Sequence, residues 1–434
     1  MDSLSQTFTA TRLLTWLTIV LATPTHGAET LRYSLEIAPN GETLTATICD
    51  PASSISRFSL PKGAQWLDTE AEVESPGSYK CASYRQQISS KENRRYFELD
   101  QLRGLTYTSL AEILACGNGV EPTVTQVTLH TPANFEASLP GNKIDENRFM
   151  LANRPCDWSS GVMWGNIANY ELAIGDNKVR IAVPNTLPAA TQEKLITWIR
   201  TGFHALSLAY SDMPVREVQV LVFPVGANDE AVPWGEVSRG GGDAVHLYVD
   251  ETKSLAALNA DWVLVHELSH LLHPYLIAAD GWLSEGIASY YQNVLRARAG
   301  LLTPERAWEK LDAGFKRGEK QFKPGVRLFE NTRQMMRERQ YMRVYWSGAA
   351  IAMMGDVELR RRSEGAQSLD TLLQRIAECC LPTENERWRG AELIKHFDDI
   401  SQTDIFSRLY DRYVMQAQFP EVETIYPALG LKRN

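Results

Sequence analysis

His266-Glu267-Leu268-Ser269-His270 is the stretch on which the reading of this chain turns. On an α-helix, residues four apart lie about 40° from each other around the axis, so both imidazoles can address one ion. Val263, Leu264, Leu268, Leu271 and Leu272 make the surroundings apolar, which predicts a buried helix. Hydrolysis at a zinc ion needs three protein ligands and one position open to water. Just downstream, Trp282-Leu283-Ser284-Glu285-Gly286-Ile287-Ala288-Ser289-Tyr290-Tyr291 supplies Glu285 at the start of a second helical pattern able to pack antiparallel to the first. His266, His270 and Glu285 are therefore the expected ligands of one Zn2+ ion, and Glu267 is the expected general base. His273 reads as a supporting group, because a fourth protein ligand would close the position catalysis needs.

Farther out, the pattern changes along the chain. From residue 31 to about 183, short runs of β-forming residues such as 33–37 and 43–48 alternate with Pro, Gly and Asn. Leu195, Trp198, Ile199, Phe203 and Leu206 then recur at helical spacing, and 218–223 and 245–249 read as strands. After residue 251 the pattern is helical, over 255–272, 283–299, 304–317, 345–361, 369–380 and 404–415. The expected class is α+β, with an N-terminal β domain over 29–183, a zinc-binding catalytic domain over 184–300 and a C-terminal helical domain over 301–434.

The composition agrees with a folded globular protein. The chain has 434 residues, 44% hydrophobic and 22% charged, near globular averages. Its net charge of −9 has the wrong sign for a protein that gains affinity by neutralising phosphates, so nucleic acid is not an expected partner. Residues 1–28 combine Arg12, an apolar run from Leu13 to Ala22 and small residues before Ala28, the pattern of a secretory signal peptide. That run is too short to span a bilayer, so a periplasmic or secreted protein without stable membrane insertion is expected. Cys49, Cys81, Cys116 and Cys156 suit an oxidising compartment and are expected to form two disulfides, in any of three pairings. Adjacent Cys379 and Cys380 fall in a helical pattern, where neighbours point about 100° apart, and are read as packing residues.

With these motifs in hand, the sequence resembles the gluzincin metallopeptidases, and within them the glycyl aminopeptidase family, relatives of aminopeptidase N and the leukotriene hydrolases. HELSH and WLSEGIASYY look like the family's zinc helix and its ligand-bearing segment. Val344-Tyr345-Trp346-Ser347-Gly348-Ala349 resembles the clan's Tyr-x-x-Gly segment, and 404–414 with 429–431 is similar to the close of the helical domain. The resemblance implies a thermolysin-like catalytic domain and gives Tyr345 the role of hydrogen-bond donor to the reaction intermediate. The family usually continues into a PDZ domain, of which this sequence carries no counterpart.

The clan holds a substrate's free amine with an acid-containing segment before the zinc helix. The corresponding place here reads Arg239-Gly240-Gly241-Gly242-Asp243. Gly240, Gly241 and Gly242 would let a substrate backbone approach, or would simply form a turn into the following strand. Aminopeptidase and endopeptidase modes therefore both stand. Hydrolysis of a non-peptide substrate on the same site and a non-catalytic peptide-binding module are the alternatives to an exported zinc metallopeptidase.

Overall fold

The computed structural model describes residues 30–50, 58–73, 79–88, 104–117, 124–152, 160–210, 213, 215–380 and 387–430. The expected leader, residues 1–28, lies outside them. The N-terminal part is built on a seven-stranded sheet in the order Asn142–Lys143, Arg148–Ala152, Val124–His130, Thr30–Ile37, Thr43–Asp50, Tyr79–Gln87, Gln65–Val73. Its inner strands show the period of two that a half-buried strand requires: Leu44, Ala46 and Ile48 face the core from one strand, Leu31, Tyr33 and Leu35 from the next. Cys49 and Cys81 stand opposite each other in register and form a disulfide with a Cα separation of 4.1 Å. Cys116 is also disulfide-bonded, and Cys156 lies outside the described residues.

A three-stranded sheet (Leu105–Ser109, Gly161–Gly165, Glu136–Ser138) joins this part to the next. Its Leu105, Tyr107 and Met163 pack with Ile167, Ala182, Leu221, Phe223 and Tyr248 of a five-stranded sheet. That sheet runs Ile167–Ile174, Asn177–Pro184, Glu217–Pro224, Asp243–Val249, Trp234–Arg239. The last strand lies at the edge and is antiparallel to its neighbour. The first two strands fall within the stretch read from sequence as the N-terminal β domain, yet they pair with the strands beside the metal-site helix. A run of alternating β-formers carries no mark of which sheet it will join, so 183 is not where the sheets divide.

Ten helices follow among the described residues: α1 Ala189–Ser207, α2 Leu255–Ala260, α3 Val263–Ser269, α4 Gly281–Arg298, α5 Pro304–Lys320, α6 Leu328–Glu338, α7 Tyr341–Arg362, α8 Leu369–Cys379, α9 Gly390–Ser401 and α10 Ile405–Tyr413. None is long and apolar enough to cross a membrane. The helix expected over 255–272 is two helices. Asp261 has extended backbone, and its carboxylate accepts the Val263 N–H at 2.8 Å, so α3 starts afresh there. Helices α6 and α9 were not anticipated; α6 is mostly polar and buries only Leu328, Asn331 and Thr332.

Cys379 and Cys380 are bridged to each other, contrary to the packing role expected. The 100° argument assumed a continuing helix, but α8 ends at Cys379 and Cys380 has already left helical geometry at φ −141°.

Helices α4 and α7 pack at near backbone contact. A β-carbon on Gly348 would overlap the Trp282 carbonyl oxygen and stand 2.7 Å from the Gly286 α-carbon. No side chain fits there, which explains the glycine next to Glu285. Gly348→Ala is expected to cost about 1–3 kcal/mol by overpacking and to weaken metal binding through displacement of α4. Denaturant unfolding and metal titration of the variant check both.

Candidate metal and catalytic site

Helix α3 is wedged between α1 and α4, with Val263, Leu264 and Leu268 in the core. It carries His266 and Glu267, and His270 follows at its C-terminus; all three are buried. Glu285 comes from the second turn of α4. Its Oε2 lies 3.2 Å from His266 Nε2 and 3.7 Å from His270 Nε2, and the three ligand atoms fall within 4.8 Å of one another. Donors about 2.0–2.2 Å from a tetrahedral zinc stand about 3.2–3.6 Å apart, so the spacing fits that ion.

The hydrogen bonds behind the rings fix which nitrogen faces the shared point. His266 Nδ1 donates to the Gln292 side-chain oxygen at 2.8 Å, leaving Nε2 free to ligate. Behind His270 the argument runs through two groups. His273 Nδ1 donates to the Pro274 carbonyl at 2.7 Å, so its Nε2 accepts the Ser284 hydroxyl proton, the two atoms being 3.2 Å apart. The Ser284 oxygen then accepts from His270 Nδ1 at 3.0 Å. Burial, with help from Arg239, pushes His273 down to about 3 and keeps it the neutral link this relay needs. Burial also drives His270 well below the usual imidazole range, aided by the other rings and Arg239, so it presents a bare lone pair. Sequence spacing brought His266, His270, Glu285 and His273 forward; Gln292 and Ser284 have no motif of their own, though each lies on the helix that bears Glu285.

Glu267 sits beside this cluster, and burial pushes its carboxyl up to about 7, with His266 opposing and the Glu285 and Glu236 charges reinforcing. It accepts a hydrogen bond from the backbone N–H of Val237 on the edge strand. Tyr345, on α7, stacks on His266 with ring centroids 6.0 Å apart and planes 11° from parallel. Burial raises its phenol well above the usual range, with the Glu285 and Glu267 charges adding, so it stays a proton donor. Trp262 meets the same His266 ring edge-on at 5.2 Å.

The edge strand Trp234–Arg239 carries a residue the sequence reading passed over. Glu236 pairs with His246 on the adjacent strand at 3.0 Å, and its carboxylate remains 42% exposed. In the glycine segment, Arg239 and Asp243 bond to each other at 2.8 Å and close the hairpin, while Arg239 also donates to the His273 carbonyl. Strand alternation from Trp234 was the available signal. Gly240, Gly241 and Gly242 form the hairpin turn, at φ 152°, 84° and 146°, and Gly242 packs against Gly141 of the N-terminal part. Positive φ and this close approach account for the glycines as a turn.

A model of the M61 glycyl aminopeptidase family matches residues 275–350, which hold Glu285 and Tyr345. Comparison with curated proteins gives no match. Among solved structures, an aminopeptidase N family protein from Idiomarina loihiensis is 13% identical, with a TM-score of 0.67 over 92% of this chain and 78% of that one. Native yeast LTA4 hydrolase is 10% identical, with a TM-score of 0.54 over 91% of this chain and 68% of that one. The expectation of a metallopeptidase enzyme accords with the family match, and the α+β class with both folds. The resemblance read from the sequence is met to this extent: over residues 275–350 the chain is similar to the M61 glycyl aminopeptidase family, and its fold is similar to those of the aminopeptidase N family protein and yeast LTA4 hydrolase.

Proposed function

We propose that the chain is an exported zinc peptidase that removes residues from the free N-terminus of peptides. The observation that carries the reading is the convergence of His266, His270 and Glu285 on one point, with Glu267 and Tyr345 beside it. Bound zinc would supply Lewis-acid chemistry, lowering the pKa of water to about 7 and polarising the carbonyl. Glu267 takes a proton from the attacking water and delivers it to the departing amine. Tyr345 donates a hydrogen bond to the oxygen on which negative charge develops. Glu236, partly exposed on the edge strand and near enough to influence Glu267, receives the ammonium group of the substrate. The family's printed description, glycyl aminopeptidase, supports the exopeptidase mode. The character of residues 1–28 and the Cys49–Cys81 disulfide support export.

Replacing Gln292 with Leu should weaken metal affinity about 10–100-fold, read by chelator competition, because the His266 ring loses its orienting acceptor. Glu267→Gln should keep the metal and lower kcat by about 10²- to 10⁴-fold; turnover at the wild-type rate rejects the mechanism. For Tyr345→Phe the expected loss is about 10²-fold or more in kcat at constant metal content. Free and N-acetylated forms of one peptide separate the modes: cleavage of the free form alone is expected, together with loss of that preference in Glu236→Gln. Equal cleavage of both forms by the wild type would exclude the aminopeptidase mode.

A further inference from the structure

A cavity of about 500 Å³ opens beside the metal site, between α4, α5 and α7, with Tyr345 in its wall. Gln292, the residue that orients His266, lines it too. The lining is markedly basic for an acidic chain. Arg296, Arg306, Lys310 and Arg317 face one acid, Glu309, which is paired with Arg306 at 2.5 Å. Arg317 lies over the Trp346 ring at 5.1 Å, a contact that positions a guanidinium without cancelling its charge.

Arg296 stands behind that lining. Its residue is 0% exposed, and among the described residues only its Nη2 has a hydrogen-bond partner, the Ala260 carbonyl at 2.5 Å. Nε and Nη1 are buried with no hydrogen-bond acceptor among the described residues. Asp261 contributes attraction from nearby, but its Oδ1 serves the Val263 N–H. The Nε and Nη1 atoms are closed off from the open space, so Arg296 adds positive charge from behind the cavity wall rather than a donor inside it. Lys310 is destabilised in its charged form by burial first and then by the Arg296, Arg306 and Arg317 charges. A group of mutually repelling cations around a space of this size suits an anionic ligand.

We propose that this cavity holds a carboxylate of the peptide substrate, giving the enzyme a preference for peptides that present an acidic group on the Tyr345 side of the metal. The inference rests on the peptidase reading, since it assigns a substrate class to the same site. The carboxylate is either an Asp or Glu side chain or the C-terminus of a short peptide, and the chemistry that recognises them is the same.

The test uses two pairs of short peptides with free N-termini, one pair differing as Glu against Gln beyond the cleaved bond, the other as free acid against C-terminal amide. The acidic member of at least one pair should be favoured about tenfold or more in kcat/KM. The responsive pair identifies the source of the carboxylate. In Arg296→Met and Lys310→Met that ratio should fall towards one; if Arg296→Met fails to fold, Lys310→Met decides. Calorimetric binding of the same pairs to metal-stripped wild-type protein should show the same preference without turnover. Cleavage with no preference in either pair overturns the carboxylate site and leaves the peptidase reading standing. Preferential binding with no cleavage of any peptide does the reverse, and absence of both overturns the two together.

Discussion

Two imidazoles and two carboxylates share a nearly dry space at the junction of α3 and α4, and the rest of the molecule is arranged to keep them there. Such a group is unfavourable in isolation: burial disfavours every charge in it, which is why the Glu267 carboxyl is pushed up to about 7 and the His270 ring is driven down. A divalent cation held there would reverse the balance by giving His266, His270 and Glu285 a common partner. The protein contributes the orientation, through Gln292 behind one ring and the Ser284–His273 relay behind the other.

Holding α4 at the right height is a matter of backbone contact. Gly286 follows Glu285 directly and meets Gly348 of α7, so the helix that supplies this carboxylate and the helix that supplies Tyr345 are locked as one unit. Tyr345 reaches the His266 ring through that lock. Packing and site geometry are not separable here, because a methyl group at the crossing would shift Glu285 and Tyr345 together.

The sheet defines the other wall. Its edge strand is antiparallel to its neighbour, lays the Val237 N–H on Glu267 and leaves the Glu236 side chain partly exposed. The glycine turn that ends this strand packs against Gly141, tying the N-terminal part to the cleft. Opposite, the basic cavity beside Tyr345 gives the cleft a charge asymmetry: acids on the strand side, cations on the helical side. A peptide, which carries an ammonium group at one end and carboxylates elsewhere, matches that asymmetry.

The sequence by itself brought forward His266, Glu267, His270 and Glu285 as one constellation, and the helical character of the second half. Those features depend on residues a turn or two apart, and helical geometry converts such spacing directly into direction. It also carried Tyr345, by resemblance. Only the tertiary structure decided that α3 begins at Val263, that the strands at 167–184 join the catalytic sheet, that Cys379 and Cys380 bridge, and that Glu236, Gln292 and Arg296 border the site. Each depends on which surfaces meet after the chain has folded back over tens of residues, and a single polar residue on a strand or helix leaves no periodic trace of the partner it will face.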